Sequence, residues 1–272
     1  MRNNPFRVAA FLLFLVLICS WFPSLLYQRQ AARMLRADAV TTDTFRKMQM
    51  SEDTLIRLLE SSEDVSVGEI LTVWYPFLEG RFASVPAWMS RDAIYAWRRR
   101  LLHDNRKGYL SVKEAYAAIW DDIACFPVNG TEVSYENSWM FERTYGGIRG
   151  HEGTDLMPAE NRSGVFPVVS MTDGTVENIG WLEQGGYRIG IRSENGGYFY
   201  YAHLDSYARE FAIGERVYAG DRLGMMGDTG YGPEGTSGQF PVHLHVGIYI
   251  RTGASGEMSV NPYWVLRYAQ RF

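Results

Sequence analysis

Four of the chain's five histidines fall, with one aspartate, into three short patterns. His151 and Asp155 are the ends of H-E-G-T-D, His203 sits in Y-Y-A-H-L, and His243 and His245 form H-L-H. The fifth, His103, lies far upstream in a basic helical stretch. Two imidazoles and one carboxylate suffice to hold a zinc ion with one coordination position open, which separates a catalytic zinc from a structural one. Histidines left over beside such an ion are candidate proton carriers, because imidazole titrates near neutral pH.

Geometry follows from the spacing. On a strand, residues i and i+2 share a face, so His243 and His245 point to the same side and either could reach a metal. His151 and Asp155 would share a face on a helix, but Gly146, Gly147, Gly150 and Gly153 weaken a helix there and Pro158 would end it. The segment reads as a loop entering a strand. The helical H-E-x-x-H zinc motif is excluded, since Asp155 stands where its second histidine belongs. Each pattern is weak alone, and a plain His–Asp ion pair is the bland reading of the first. The weight comes from four histidines clustered between 151 and 245 in a chain with one other.

The elements that must position these residues change character near Phe126-Pro127. Downstream, glycine is frequent and short β-type runs appear at 165–170, 174–179, 187–191, 198–201 and 242–250, separated by turns such as Thr172-Asp-Gly174 and Asn195-Gly-Gly197. Residues 126–272 are predicted to form an antiparallel β domain. Residues 28–125 read as a helical juxtamembrane or spacer region. Leu55, Leu58 and Leu59 recur at helical spacing, as do Val112, Tyr116, Ile119 and Ile123. Capping boxes are predicted at Ser66–Glu69 and Ser111–Glu114, with Pro76, Pro86 and Gly108 as breaks. Trp74, Trp88, Trp97 and Trp120 are expected in the core. The arginines between 91 and 106 are expected on a solvated face.

After a short tail at 1–7, residues 8–26 carry no charge. Their length as a helix, ~28 Å at ~1.5 Å per residue, approaches the hydrocarbon thickness of a bilayer. We expect an uncleaved transmembrane anchor over 8–27, since no small-x-small cleavage site follows. The overall class is α+β: an N-terminal transmembrane helix, a small helical region, then the β domain. A net charge of −4 argues against nucleic acid as a partner. Two cysteines, Cys19 and Cys125, in unlike contexts predict neither a disulfide framework nor a thiolate metal site.

The order of motifs in the β half resembles the lysostaphin/LytM-type metallopeptidases of family M23, which cut peptidoglycan. Ser138-Trp139 and Arg143 precede Gly146-Gly147 and the H-x-x-x-D at 151–155. Pro167-Val-Val169, Asp173-Gly-Thr-Val176, Tyr200-Tyr-Ala-His-Leu204, Gly214-Glu-Arg-Val217, Ala219-Gly-Asp-Arg-Leu-Gly224 and Met226-Gly-Asp-Thr-Gly230 follow in sequence. H-L-H and Asn261-Pro262 close the series, so the likeness covers about 126–268. The resemblance implies His151, Asp155 and His245 as ligands of one Zn²⁺ per chain, and His203 and His243 as the non-ligand catalytic histidines. It implies a LytM-type β domain and a zinc metalloendopeptidase acting on peptidoglycan peptides. The loops at 156–166 and 230–241 are longer than the family's usual turns and are expected to edge the groove. Tyr145, Tyr201 and Tyr231 are further groove candidates. The expected location is the bacterial cell membrane, single-pass, with the catalytic domain extracytoplasmic and a wall or regulatory protein as a conceivable partner. The alternative is a latent or non-catalytic M23-like domain acting as a scaffold for wall peptides or a partner protein.

Overall fold

Helix starts in the N-terminal half are set by side-chain oxygens that accept from the free amides of the first turn. The computed structural model describes all residues except 1–4, 37, 129–131 and 254–255, and omits the side chains of 5, 7, 8, 15 and 17–25. It contains helices α1 (Pro5–Met34), α2 (Asp43–Lys47), α3 (Glu52–Ser61), α4 (Val67–Leu78), α5 (Arg91–Asp104) and α6 (Arg106–Trp120). Thr42, Ser51, Ser66, Ser90 and Asn105 cap α2 to α6, each accepting from the amide three residues on. At Ser66 the cap forms but not the reciprocal half of the box, because the Glu69 carboxylate is turned to Tyr109, Arg98 and Lys113. The expected start at Ser111 does not form, because Asn105 has already begun α6 and Ser111 lies inside it. Gly108 is not a break either. It sits in the first turn of α6, where a Cβ would come within 1.7 Å of the Leu35 carbonyl oxygen. Glycine there lets the end of α1 pack directly on α6, and Asn105 Nδ2 fixes the contact by donating to the carbonyls of Ala32 and Leu35, both at 2.8 Å. Pro76 is likewise accommodated inside α4, near its C-terminal end.

Trp74 and Trp120 are fully buried, as expected of core residues, whereas Trp88 is about half exposed at 47%. The basic stretch is partly neutralised: Arg91 pairs with Glu63 and Asp64, and Arg98 with the buried Glu69. Among the described residues no helix is long and apolar enough to cross a membrane. The expected anchor at 8–27 lies within α1, and most of its side chains from 17 on fall outside the described residues.

The remaining chain forms strands β1 (Val133–Ser134), β2 (Glu142–Arg143), β3 (Arg149–Gly150), β4 (Thr154–Pro158), β5 (Pro167–Val169), β6 (Gly174–Leu182), β7 (Gly186–Ser193), β8 (Tyr198–Tyr207), β9 (Arg216–Val217), β10 (Arg222–Met226), β11 (Leu244–Thr252) and β12 (Gly256–Val260), closed by helix α7 (Tyr263–Ala269). All pairings between these strands are antiparallel, in the order β1-β4-β11-β8-β7-β6-β9. β10 bridges β5 and β8, and β12 pairs with the far half of β11. β2 and β3 make a separate hairpin.

Alternation fixes which face is core. Leu244, Val246, Ile248 and Ile250 of β11 are buried, as are Phe199 and Tyr201 of β8 and Ile189 and Ile191 of β7. The helical half packs against this sheet: Arg46 donates to Ser259 of β12, and the fully buried Asn261 donates to the Lys47 carbonyl. The free Cys125 places its sulfur 3.0 Å from the Ser170 carbonyl, in the join between α6 and the sheet. Tyr201 is therefore not a groove residue. It is a core side chain whose hydroxyl accepts from the Met171 amide.

Candidate metal centre and groove

On the other face of the sheet, neighbouring strands bring the sequence motifs into one row. His245 of β11 stands opposite Asp155 of β4 on one side and Ala202 of β8 on the other. His151, in the short loop between β3 and β4, closes a triangle. Its Nε2 lies 3.0 Å from Asp155 Oδ1 and 3.0 Å from His245 Nδ1, and that Nδ1 lies 2.9 Å from the same Oδ1. With its proton on Nδ1 toward Ser138, His151 turns an Nε2 lone pair to the Asp155 oxygen, so that contact has no proton of its own and the triangle holds at most the one proton of His245 Nδ1. A cation at its centre satisfies all three. The set of two imidazoles and one carboxylate suits zinc, with metal–ligand distances of ~2.0–2.2 Å. The three are the one such group of histidine, cysteine and acidic side chains among the described residues.

Outer contacts orient each donor, as metal sites require. The Nδ1 of His151 faces the hydroxyl and carbonyl oxygens of Ser138, at 3.1 and 3.3 Å, so it donates there and leaves Nε2 as the lone pair. Arg143 donates to Asp155 Oδ2 at 3.0 Å, keeping Oδ1 for the triangle. Burial alone would raise the Asp155 carboxyl, but the close approach of the His151 and His245 nitrogens and the nearby charges of His245 and His243 hold it well below the usual carboxylate range. Burial pushes His245 down, against the pull of Asp155. Gly153 explains the glycine within H-E-G-T-D. A Cβ there would lie 2.3 Å from Cε1 and 2.5 Å from Nε2 of His245.

His203 reaches the same face by an irregularity. Tyr198, Tyr200 and Ala202 of β8 face the groove, so alternation would send the next residue into the core. Instead the register with β7 slips between Tyr187 and Ile189, and His203 adopts φ +62°. This bulge in the left-handed region turns its ring back to the groove. Its Nδ1 lies 2.8 Å from the Thr229 carbonyl, and Nδ1 of His243 lies 2.7 Å from the Pro241 carbonyl. Both therefore donate through Nδ1 and keep Nε2 free. Their ring centroids are 4.7 Å apart, and His243 Nε2 is 3.7 Å from Asp155 Oδ1. Burial and the charges of His243 and His245 drive His203 well below the ordinary imidazole value, keeping it a neutral acceptor.

These groups open onto a groove of about 850 Å³. Tyr198, Tyr200 and Tyr249 line it together with Arg149, Arg188 and Phe240. At its rim Tyr145 of the β2–β3 turn stacks on Tyr231 of the 230–241 loop, centroids 4.1 Å apart and planes 2° from parallel. Tyr231 thus lines the groove as expected, with Tyr145 reaching it only through this stack, and parts of both long loops line it through Met157, Phe240 and Pro241. Ser138, Arg143, Arg149, Gly153, Arg188 and Thr229 were given no role by sequence. Ser138, Arg143 and Thr229 carried a signal through their place in the motif series, and Gly153 as one of the glycines that weaken a helix there.

The antiparallel sheet, the H-x-x-x-D and H-x-H donors at its face and the groove beside them define a LytM-type β domain. Residues 149–262 match Peptidase family M23. The crystal structure of a provisionally named glycyl-glycine endopeptidase lytM from Ruminococcus gnavus ATCC 29149 is 45% identical, covers 89% of this chain and 96% of its own, and superposes with a TM-score of 0.78. The chain belongs to peptidase family M23. It is also 41% identical over 165 residues to the L-Ala--D-Glu endopeptidase of Bacillus subtilis (strain 168), matching 60% of this chain. It spans about half, 49%, of that relative's length. The catalytic domain of lysostaphin from Staphylococcus simulans is 26% identical over 51% of this chain and 94% of its own, at a TM-score of 0.38.

Proposed function

We propose that this chain is a zinc metalloendopeptidase that hydrolyses peptide bonds of cell-wall peptidoglycan, in the stem peptide or the cross-link. The observation that carries the reading is the triangle of His151 Nε2, Asp155 Oδ1 and His245 Nδ1, facing a groove beside two imidazoles with free Nε2 atoms. When bound there, zinc supplies a Lewis acid for the scissile carbonyl and an acidified water whose pKa falls toward ~7. Neutral His203, held by Thr229, accepts the water's proton at Nε2. His203 then returns that proton to the leaving amine as the C–N bond breaks, and His243, held by Pro241, in its imidazolium form hydrogen-bonds from Nε2 to the developing oxyanion without giving its proton up. The rims at Tyr145, Tyr231 and Phe240 exclude water from the bound peptide. Two of the relatives named above, from Ruminococcus gnavus and Bacillus subtilis, carry endopeptidase names, though for different bonds, which supports the reaction class and leaves the bond open.

Location is part of the proposal. We infer a single-pass attachment of the N-terminal segment to the bacterial cell membrane, with the groove on the outer side where the wall polymer lies. The support is the uncharged sequence of 8–26 and the exposure of Phe11, Leu12, Leu13 and Phe14 along α1. Alkaline extraction of membranes tests it: a chain released into the soluble fraction would remove the anchor.

The activity test uses purified full-length chain on purified peptidoglycan, with and without chelator. New free amines and new reducing sugar ends are counted separately, with Asp155→Ala as control. Chelator-sensitive amines without reducing ends are expected. Metal-loaded, folded protein that releases no amines would sink the peptidase reading.

A further inference from the structure

Two arginines in the groove each keep a buried guanidinium nitrogen without a partner. Arg149 of β3 and Arg188 of β7 both line it, and Arg149 Nε and Arg188 Nη1 are buried without a hydrogen-bond partner. The third groove arginine, Arg143, is engaged by Asp155. Elsewhere in this half, Arg192, Arg209, Arg216 and Arg251 each face a glutamate. A guanidinium is permanently charged and has only donors, so a buried N–H without an acceptor is unfavourable until one arrives. The groove's own acids do not serve: Asp155 is surrounded by imidazoles and Arg143, and Glu152 faces Arg46 at 3.6 Å.

The sheet register places Arg188 relative to the metal donors. Tyr187 pairs with Leu204 and Ile189 with Tyr201, so Arg188 stands opposite the Ala202–His203 bulge. Ala202 in turn stands opposite His245. Arg188 is therefore two strands from His245, ~10 Å at ~4.8 Å per strand. Arg149 arrives from the other side, two residues before His151. Both arginines line the same groove as Tyr200, whose hydroxyl burial raises and whose rise the charges of Arg188 and Arg149 oppose.

Resting on the peptidase reading above, we propose that Arg149 and Arg188 form a carboxylate-binding subsite that selects peptides with a free carboxylate about two or three residues from the cleaved bond, given a rise of ~3.3 Å per extended residue. The planar fork of each guanidinium matches a carboxylate through paired N–H donors. A bridge made of glycine offers no side-chain carboxylate at that distance. An acidic stem peptide does.

The test uses two synthetic stem peptides identical except that the acidic carboxylate of one is a carboxamide in the other. Cleavage by the zinc-loaded full chain is compared as a ratio of kcat/KM. Binding of both peptides to catalytically impaired His203→Ala is measured by calorimetry. The carboxylate peptide is expected to be favoured at least ~10-fold in both, as a desolvated charge pair requires. Arg188→Gln and Arg149→Gln are expected to bring the ratio close to one, and Arg188→Lys to restore part of it. Thermal melts confirm that each variant is folded, and either variant alone suffices. A wild-type ratio near one, or an equal loss for both peptides in Arg188→Gln, overturns the subsite. Arg188-dependent preference in binding with no cleavage of either peptide upholds the subsite and counts against the peptidase reading instead.

Discussion

Adding one methyl group at Gly153 should disable the metal site without touching a donor atom. Gly153 does not have a positive φ, so alanine meets no backbone strain there. Its Cβ would sit 2.3 Å from His245 Cε1, 2.5 Å from Nε2 and 2.7 Å from the Val246 carbonyl oxygen. Ordinary contact between heavy atoms is ~3.5–4.0 Å, so the ring or the β3–β4 loop must move by at least about 1 Å. The loop carries His151 and β4 carries Asp155, so either movement opens the triangle of 2.9–3.0 Å edges. A displacement of ~1 Å can cost ~10²-fold in rate, and disturbed support of a ligand typically costs ~10–100-fold in metal affinity. Zinc affinity is read by competition with a chromophoric chelator, and peptide cleavage in parallel. Gly253→Ala is the control, since a Cβ there meets nothing within 4 Å. If Gly153→Ala holds zinc as tightly as wild type and cleaves as fast, the close approach of H-E-G-T-D to His245 is not what sets the site.

Other consequences are separable. His203→Ala is expected to keep bound zinc and lose ~10²–10⁴-fold in turnover, whereas Asp155→Ala loses the metal; equal metal loss in both, by metal analysis after dialysis, would reverse the assigned roles. Asn261→Ala removes bonds to the Lys47 carbonyl, Asn137 Oδ1 and the Tyr263 amide in a fully buried position. It should lower stability by about 2–4 kcal/mol in urea unfolding, and a change under 0.5 kcal/mol would refute the clasp between the two halves. Asp121 has its carboxyl raised by burial, against the Gly68 amide that donates to it at 2.7 Å. A raised folded value means that its contribution is full below the unfolded pKa of ~3.9 and fades as pH rises through the folded one. Asp121→Asn keeps the acceptor and should flatten stability against pH above ~4; an unchanged profile would remove Asp121 as its source.

H-L-H was legible because period-two alternation leaves its two histidines no choice of face, and Leu244 between them is core. The H-x-x-x-D loop was legible from its glycines. His203 was not legible from alternation, which sends it to the core side with Tyr201; only a bulge that depends on β7 and on Gly185 accepting the His203 backbone reverses it. Tyr201 failed as a groove residue for the same reason. Ser111 has the signature of a helix start, yet packing of α1 against Gly108 and Asn105 fixed the start earlier. Arg149 and Arg188 could not be found from type and spacing, because their significance is a missing partner, which only assembled neighbours reveal.

The clamp between the halves also has a mechanical meaning. Asn105 grips the last turns of α1, Arg46 and Asn261 tie the helical half to β12 and its exit, and β12 pairs with β11 from Ile248 to Thr252. β11 is the strand that begins at H-L-H. A pull on the N-terminal helix therefore does not run out along a slack tether. It arrives, through a few hydrogen bonds, at the strand that aims His245, so tension on the N-terminus and alignment of the metal donors share one load path.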